Sequence, residues 1–338
     1  MLLAFRRWRV LLLMLALVSL AFGMAGGLAR LTPVPVSISA LALHGPLMVS
    51  AFFGTLISLE RAAALERLWA YAAPVCAGLG GLVLLLGLPQ EGFALMALAA
   101  ALLVASSLLL FKRHRSLQTA TSSGGALAWL MGNLSVMLGF SAVPWWIAFL
   151  ALTIGGERLR DLQRGPAVDS VCMALAAGVF AGPLEPRLLG LVLALLALWL
   201  FAFDRARAML RQPKLPRYVA LCLLAGYFWL ALGGVLMALS SAYDAALHAI
   251  FVGFAFSMVF GHAPVMLPTL LRVSLPYSGL LYVPLILLHA SLAVRVAVSA
   301  EIGAWGNAAA IGLFMASAAA LVITQAWSGR RKRSAPGR

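Results

Sequence analysis

Four of the five histidines lie inside strongly apolar stretches, where an imidazole needs a partner. Two of them begin similar motifs, HGPLM at 44–48 and HAPVM at 262–266, and the other two are His248 and His289. Neutral imidazole is a good ligand for iron, copper and zinc. It also makes hydrogen bonds between membrane helices. The histidines therefore indicate either a metal or cofactor site or a set of structural contacts.

The composition places these histidines in a membrane. Hydrophobic residues make up 63% of the 338 residues and charged residues only 10%, whereas a soluble domain carries about a quarter charged residues. A helix needs about 20 apolar residues to cross the hydrocarbon core. We therefore predict an all-α, polytopic membrane bundle of about twelve transmembrane helices. They lie near residues 10–29, 38–59, 69–88, 92–111, 123–140, 143–156, 167–183, 187–203, 218–239, 244–267, 277–299 and 304–326.

The distribution of Lys and Arg predicts the orientation of this bundle. With the N-terminus inside, 22 of the 25 basic residues fall on the inner side, and Arg30, Arg187 and Arg295 fall outside. Cytoplasmic loops of membrane proteins carry such an excess. Both termini are thus predicted to be cytoplasmic, in the cytoplasmic (inner) membrane. The basic residues in the loops on the inner side of the lipid bilayer account for the net charge of +15. No nucleic-acid partner is therefore expected.

The domain organisation expected from this pattern is simple. Residues 1–329 form a single transmembrane bundle, and residues 330–338 form a basic cytoplasmic tail. The count of twelve also suggests two six-helix halves, 1–165 and 166–329, although the two His motifs do not align under such a duplication. All ten acidic residues lie in loops or near span ends. Ion-coupled carriers usually need carboxylates within the membrane, so this distribution weighs against that class.

Two of the histidines fall at a similar depth on different helices. At 1.5 Å per helical residue, His44 lies about 9 Å and His248 about 6 Å below the outer surface. Imidazoles from two helices at one level are able to bind a haem iron from both sides. We predict His44 and His248 as haem ligands, and His289, near the midplane, as a third ligand or substrate contact. The alternative for each is a hydrogen bond between helices.

A second pattern suggests copper. Met258, His262 and Met266 recur every four residues and so share one helix face. Thioether and imidazole ligands suit Cu(I), although Met is also a common packing residue. A rival function follows, a transporter of a small solute or a metal ion such as Cu(I), because prolines interrupt spans two and ten where transporters often build sites.

Two Glu–Arg pairs stand at the inner ends of predicted spans, Glu60–Arg61 and Glu157–Arg158. One interpretation is that they anchor helix ends and pair with neighbouring side chains. The other is that an arginine holds an acidic group, such as a haem propionate. Both interpretations remain open at this point.

The stretches LHGPLMVSAFFGTLISLERA (43–62) and LHAIFVGFAFSMVFGHAPVMLP (247–268) resemble the NnrS-type membrane proteins. The plan of twelve spans, with histidines on the second and tenth, is also similar to the main subunit of haem–copper oxidases, where those helices hold a low-spin haem. The resemblance to NnrS-type proteins implies haem b, copper, and a role in the nitric-oxide response or in electron handling. It also implies a redox partner in the membrane.

The chain departs from both families. NnrS-type proteins usually carry a His-x-His-Glu cluster in span two, where this chain has His44 followed by Gly45 and Pro46. That departure weakens the implied copper site. The chain also lacks the histidine pair and the His-x-x-x-Tyr of the oxidase copper site, so oxygen reduction is not expected. A third interpretation is an accessory subunit whose histidines only join helices.

Overall fold

The fold is helical throughout the part of the chain that can be described. The computed structural model describes residues 2–32, 38–159, 166–271 and 276–334. Helices make up most of these residues, and the four ranges contain no strand. The predicted all-α membrane architecture is thus confirmed in outline. The predicted boundary between halves at 165/166 falls at the edge of a stretch outside the described residues, and so does the end of the predicted basic tail, 335–338.

The chain divides into two compact units, Met1–Asp204 with Leu230–Ala246, and Arg205–Trp229 with Leu247–Arg338. The helices up to the end of the first continuous segment are α1 (Leu2–Ala29), α2 (Ile38–Gly45), a first π-helix (Pro46–Phe53), α3 (Gly54–Leu65), α4 (Ala72–Leu85), α5 (Pro89–Arg113), α6 (Leu117–Met137), α7 (Val143–Glu157), α8 (Pro166–Ala181) and α9 (Pro186–Phe203). The remaining helices are α10 (Ala206–Met209), α11 (Leu215–Ala238), α12 (Tyr243–His248), a second π-helix (Ala249–Phe256), α13 (Ser257–Leu271), α14 (Tyr282–Ala297) and α15 (Ala300–Ser334). Short 3₁₀ turns at Leu68–Tyr71, Gly182–Leu184 and Gly279–Leu281 complete the described elements.

A described helix lies at each of the twelve predicted positions. Nine described segments are long and apolar enough to cross a membrane, and α7 and α8 fall among shorter apolar segments. The remaining helix, α6, has 21 residues but opens with a polar sequence, LQTATSSGG. The length and hydropathy of the apolar segments thus locate the helices. Three of them, α6, α7 and α8, are too short or too polar to be identified as membrane spans by these criteria alone.

Glycines set how closely the helices of the first unit approach one another. A Cβ on Gly190 of α9 would collide with backbone atoms of Gly234 and Ala238 in α11, and a Cβ on Gly234 would collide with backbone atoms of Gly190 and Ala194. In lipid, helices associate through van der Waals packing, and small residues permit this close approach. The α9–α11 contact therefore depends on glycine at both positions.

In the second unit, aromatic and small residues join α13, α14 and α15. Phe260 of α13 stacks on Phe314 of α15, with ring centroids 4.0 Å apart and an interplanar angle of 9°. Gly303 and Gly306 let α15 lie against Arg295 and Ser291 of α14. The Ser291 hydroxyl donates a hydrogen bond of 2.6 Å to Asn307 Oδ1. Both units thus combine close glycine contacts with buried polar bonds.

We predict that Gly190→Ala destabilises the folded protein by about 1–3 kcal/mol, because the added methyl group overpacks the contact between α9 and α11. Gly312→Ala is the matched control, since nothing lies within 4 Å of a Cβ at that helical position. The control should be neutral or stabilising by up to about 1 kcal/mol, because alanine favours a helix more than glycine. Thermal unfolding in detergent measures both variants. Equal melting temperatures for the two would contradict the role assigned to Gly190.

Candidate functional site

The two histidines predicted to bind haem stand near the start of similar segments in two different helices. His44 is separated from the first π-helix by Gly45, and His248 lies directly before the second. Each π-helix is eight residues long. An Ala–Phe pair stands seven and eight residues after each histidine, at 51–52 and 255–256. His44 and His248, the two predicted haem ligands, thus share a local feature in the structure, whereas by sequence motif HGPLM at His44 resembles HAPVM at His262.

These π-helices are the main feature that the sequence analysis missed. The wider i→i+5 turn is rare in proteins and is frequently found at functional sites. Here two such segments follow the two candidate ligands, and both side chains, His44 and His248, are half-buried. Their local backbone is thus of a kind that proteins often use to build sites.

The imidazole of His44 is held by the backbone of α1. Its Nδ1 lies 2.6 Å from the carbonyl oxygen of Gly23. Because a carbonyl oxygen only accepts, Nδ1 must carry a hydrogen, and in the neutral ring the lone pair is then on Nε2. A histidine that ligates a metal usually donates its other ring N–H to such a group, which fixes the tautomer and the ring orientation. His44 therefore has the form that an iron ligand requires.

Glycine in α1 makes room for this ring. A Cβ on Gly27 would lie 2.7 Å from both Nδ1 and Cε1 of His44, and a Cβ on Gly23 would lie 2.9 Å from the sulfur of Met48. Gly23 and Gly27 form a GxxxG motif, which in membrane helices marks a close helix contact. That motif in the first span was the sequence signal for a partner of His44.

Pro46, two residues after His44, changes the hydrogen bonding of its own helix. Proline lacks an N–H and leaves the carbonyl four residues earlier, that of Ala42, without its helical donor. The Nδ1–H of His44 donates to Gly23 on another helix.

A buried polar network ties the first π-helix to its neighbours. The Trp129 indole N–H donates to Ser50 Oγ at 2.8 Å, and Ser50 Oγ donates to Asn133 Oδ1 at 2.6 Å. Asn133 Nδ2 then donates to the Met96 carbonyl oxygen at 3.1 Å. Ser50 lies within the first π-helix, and all three polar side chains are fully buried. The network therefore joins the π-helix to α5 and α6. Asn133, a polar residue in an apolar span, was a signal for it that the sequence analysis did not use.

His289 is a hydrogen-bond partner on both sides of its ring. The Trp229 indole N–H donates to His289 Nδ1 at 2.9 Å. Ser257 Oγ donates to the Cys222 carbonyl oxygen at 2.7 Å and lies 3.4 Å from His289 Nε2. Since the one hydroxyl hydrogen of Ser257 points to Cys222, Nε2 must donate to Ser257 and Nδ1 must accept. His289 thus makes the helix-joining contacts considered as its alternative role, and this tautomer has no lone pair left for a metal.

The Met–His–Met stripe of α13 is divided among different environments. Met258 is buried against Gly226, where a Cβ would collide with its terminal methyl. His262 is exposed and Met266 is half-buried. Within the described part of the chain, no group of three or more His, Cys, Asp and Glu side chains is arranged to hold a metal. The copper site at Met258, His262 and Met266 remains a prediction from the sequence.

The Glu–Arg pairs form ion pairs across helices. Arg61 of the first pair lies 3.4 Å from Glu157 of the second, and Gln118 Nε2 donates to Glu157 at 3.1 Å. Arg158 binds both oxygens of the buried Asp204 carboxylate, at 2.8 and 3.2 Å. The expectation that these pairs join neighbouring helices is confirmed for Arg61, Glu157 and Arg158.

The fold and these segments together define an all-α membrane protein with two histidines that each precede a π-helix. The chain belongs to the family described as Domain of unknown function (DUF8744), whose model matches residues 9–328. No curated protein and no solved structure is similar enough to the chain to count as a match. Function must therefore be argued from the residues themselves.

We predict that Ser50→Ala lowers the free energy of unfolding by about 1–3 kcal/mol. The variant leaves the buried N–H of Trp129 without an acceptor and removes a bond to Asn133. Ser58→Ala is the matched control, because the buried Ser58 hydroxyl bonds only to carbonyl oxygens of its own helix, Gly54 at 2.6 Å and Thr55 at 3.2 Å. Unfolding in a graded series of denaturing detergent measures both. A Ser50 variant as stable as the Ser58 variant would show that the network adds no stability.

Proposed function

We propose that the chain is an integral membrane haem protein in which His44 and His248 are the iron ligands. By its resemblance to NnrS-type proteins, its role lies in the response to nitric oxide or related nitrogen oxides, or in electron handling with a membrane redox partner. The observation that carries the proposal is that an eight-residue π-helix follows both histidines, directly after His248 and after one intervening residue, Gly45, in the case of His44.

The chemistry of His44 fits this cofactor. The bond from His44 Nδ1 to Gly23 leaves the lone pair on Nε2 and raises the basicity of the ring. Large apolar side chains that exclude water, Leu47 and Phe52, follow His44 in the first π-helix and are fully buried. Haem b held by these two imidazoles would supply one-electron exchange. The residues of the chain supply the ligands, their orientation and the dry surroundings.

We also propose twelve membrane crossings with both termini on the cytoplasmic side of the inner membrane. The excess of 22 basic residues over three supports this topology. A membrane helix that is surrounded by protein can be shorter or more polar than one that faces lipid. In α7, ten of the fifteen residues are buried. In α6, the polar side chains of Thr121, Ser122 and Asn133 are buried as well.

The purified protein from haem-replete cells should show a Soret band, with sharp α and β bands after reduction if both axial positions hold histidine. His44→Ala and His248→Ala should each lose most of the bound haem, because each removes one axial ligand. His114→Ala is the control, since His114 is exposed at the end of α5 and should leave the spectrum unchanged. Absorption spectra and pyridine haemochrome content measure the result.

A colourless wild-type preparation would contradict the haem proposal. The rival proposal, a carrier for a small solute or Cu(I), predicts uptake into vesicles without a bound chromophore. Uptake of Cu(I) that is lost in His262→Ala, in a colourless protein, would favour the rival. The third interpretation, an accessory subunit, predicts that single His→Asn changes lower stability and leave the activity of a partner complex intact.

The topology is tested by labelling single cysteines. In a variant with Cys76, Cys172 and Cys222 replaced by alanine, Arg187→Cys should react with a membrane-impermeant maleimide in intact spheroplasts. Arg115→Cys should react only after the membrane is opened. Both arginines are exposed in the structure, so burial does not limit either reaction. Labelling of residue 115 in intact spheroplasts would reverse the proposed orientation.

A further inference from the structure

We infer that His289 is a positioning residue. Together with Trp229 and Ser257 it holds the second π-helix in place, and through that helix it orients the ring of His248. The part of this inference that concerns His248 as a ligand rests on the proposed function. The part that concerns the π-helix rests on contacts within the second unit alone.

The three side chains fix the second π-helix at two positions, Gly253 within it and Ser257 directly after it. Ser257 is the first residue after the π-helix, and it is tied to α11 through Cys222 and to α14 through His289. Gly253 lies within the π-helix, where a Cβ would collide with the Trp229 ring and lie 2.8 Å from a Leu292 methyl. The hydrogen bond from Trp229 to His289 joins these two points of contact.

We call the contacts of Trp229, Ser257 and His289 with the second π-helix its brace. A similar brace holds the first π-helix in the first unit. There the Trp129 indole donates directly to Ser50, and Asn133 completes the bonding of Ser50. Gly54, the residue after the π-helix, has no room for a Cβ because the Trp129 ring lies against it. A buried tryptophan, a buried serine and a tightly packed glycine therefore recur at both π-helices. In the second brace, the imidazole of His289 stands between the tryptophan and the serine.

The braces explain why an uncommon helix form persists at these two places. A π-helix is rare, so the surrounding contacts must favour it over an α-helix of the same residues. Because a π-helix places more residues in each turn, conversion to an α-helix would rotate His248 relative to α13. A change in the brace thus changes the direction of the His248 ring through the backbone of the π-helix. This is the sense in which His289 positions His248.

Hydrogen–deuterium exchange of the full-length protein tests the brace without any cofactor. His289→Phe removes both ring bonds, and Ser257→Ala removes one of them with a smaller change in volume. Each should raise amide exchange in residues 249–256 about tenfold, as expected for the loss of a buried hydrogen bond, and leave residues 46–53 unchanged. Trp129→Phe is the matched control and should raise exchange in residues 46–53 alone.

The haem-loaded protein tests the effect on His248. His289→Phe should retain haem but shift the midpoint potential and the low-spin electron paramagnetic resonance signal, because the axial ring is reoriented. His289→Gln should restore both in part, since its amide can accept from Trp229 and donate to Ser257. His248→Ala should instead lose the haem.

Each other result overturns a stated part of the inference. Unchanged exchange in residues 249–256 would remove the brace, whether or not the protein carries haem. Raised exchange with an unchanged potential and resonance signal would show that the brace does not orient the ligand. Loss of haem in a folded His289→Phe as complete as in His248→Ala would make His289 a ligand. A colourless wild type would overturn the proposed function and the ligand-orienting role, while the exchange result would still decide the brace.

Discussion

The structure depends on one constraint of the membrane interior, which is that each polar group must find its partner within the protein. The constraint is most severe where the backbone departs from the α-helix, as it does after His44 and after His248. At both places the chain supplies fully buried polar side chains, the Trp129–Ser50–Asn133 network in one unit and Trp229 with Ser257 in the other. Beside both π-helices, these buried side chains bond to other side chains or to the backbone of neighbouring helices, as the constraint requires.

The positions of the ring hydrogens distinguish His44 from His289. His44 donates from Nδ1 to a backbone carbonyl and keeps its lone pair on Nε2, whereas His289 accepts at Nδ1 and donates from Nε2. Two half-buried imidazoles thus differ in what they are able to bind. The difference arises from the neighbours, a carbonyl oxygen in one case and an indole N–H in the other. It could not be deduced from the depth of each histidine along its helix.

The sequence predicted the positions of the helices well because run length alone determines where a chain can cross a membrane. It also indicated the ion pairs at Arg61, Glu157 and Arg158, since charged residues at span ends have few partners available. The π-helices were not predicted, because a segment such as PLMVSAFF is almost uniformly apolar. It has no periodic pattern of polar residues that would indicate the number of residues per turn. The sequence analysis missed the contact between His44 and α1, although α1 contains a visible GxxxG motif. The depth of a residue along its own helix does not show which helices touch.

The bond between His44 and Gly23 joins residues only 21 positions apart. Chains are synthesised from the N-terminus and domains generally form in that order, so α1 and α2, which carry the carbonyl and the imidazole, are made one directly after the other. Gly27 removes the steric obstacle to their meeting. His44 can thus form this bond before the later helices are made, whereas the contacts around the second π-helix require α11 and α14. The contact of His44 with α1 can form early in synthesis, and the contacts of the second π-helix can form only late.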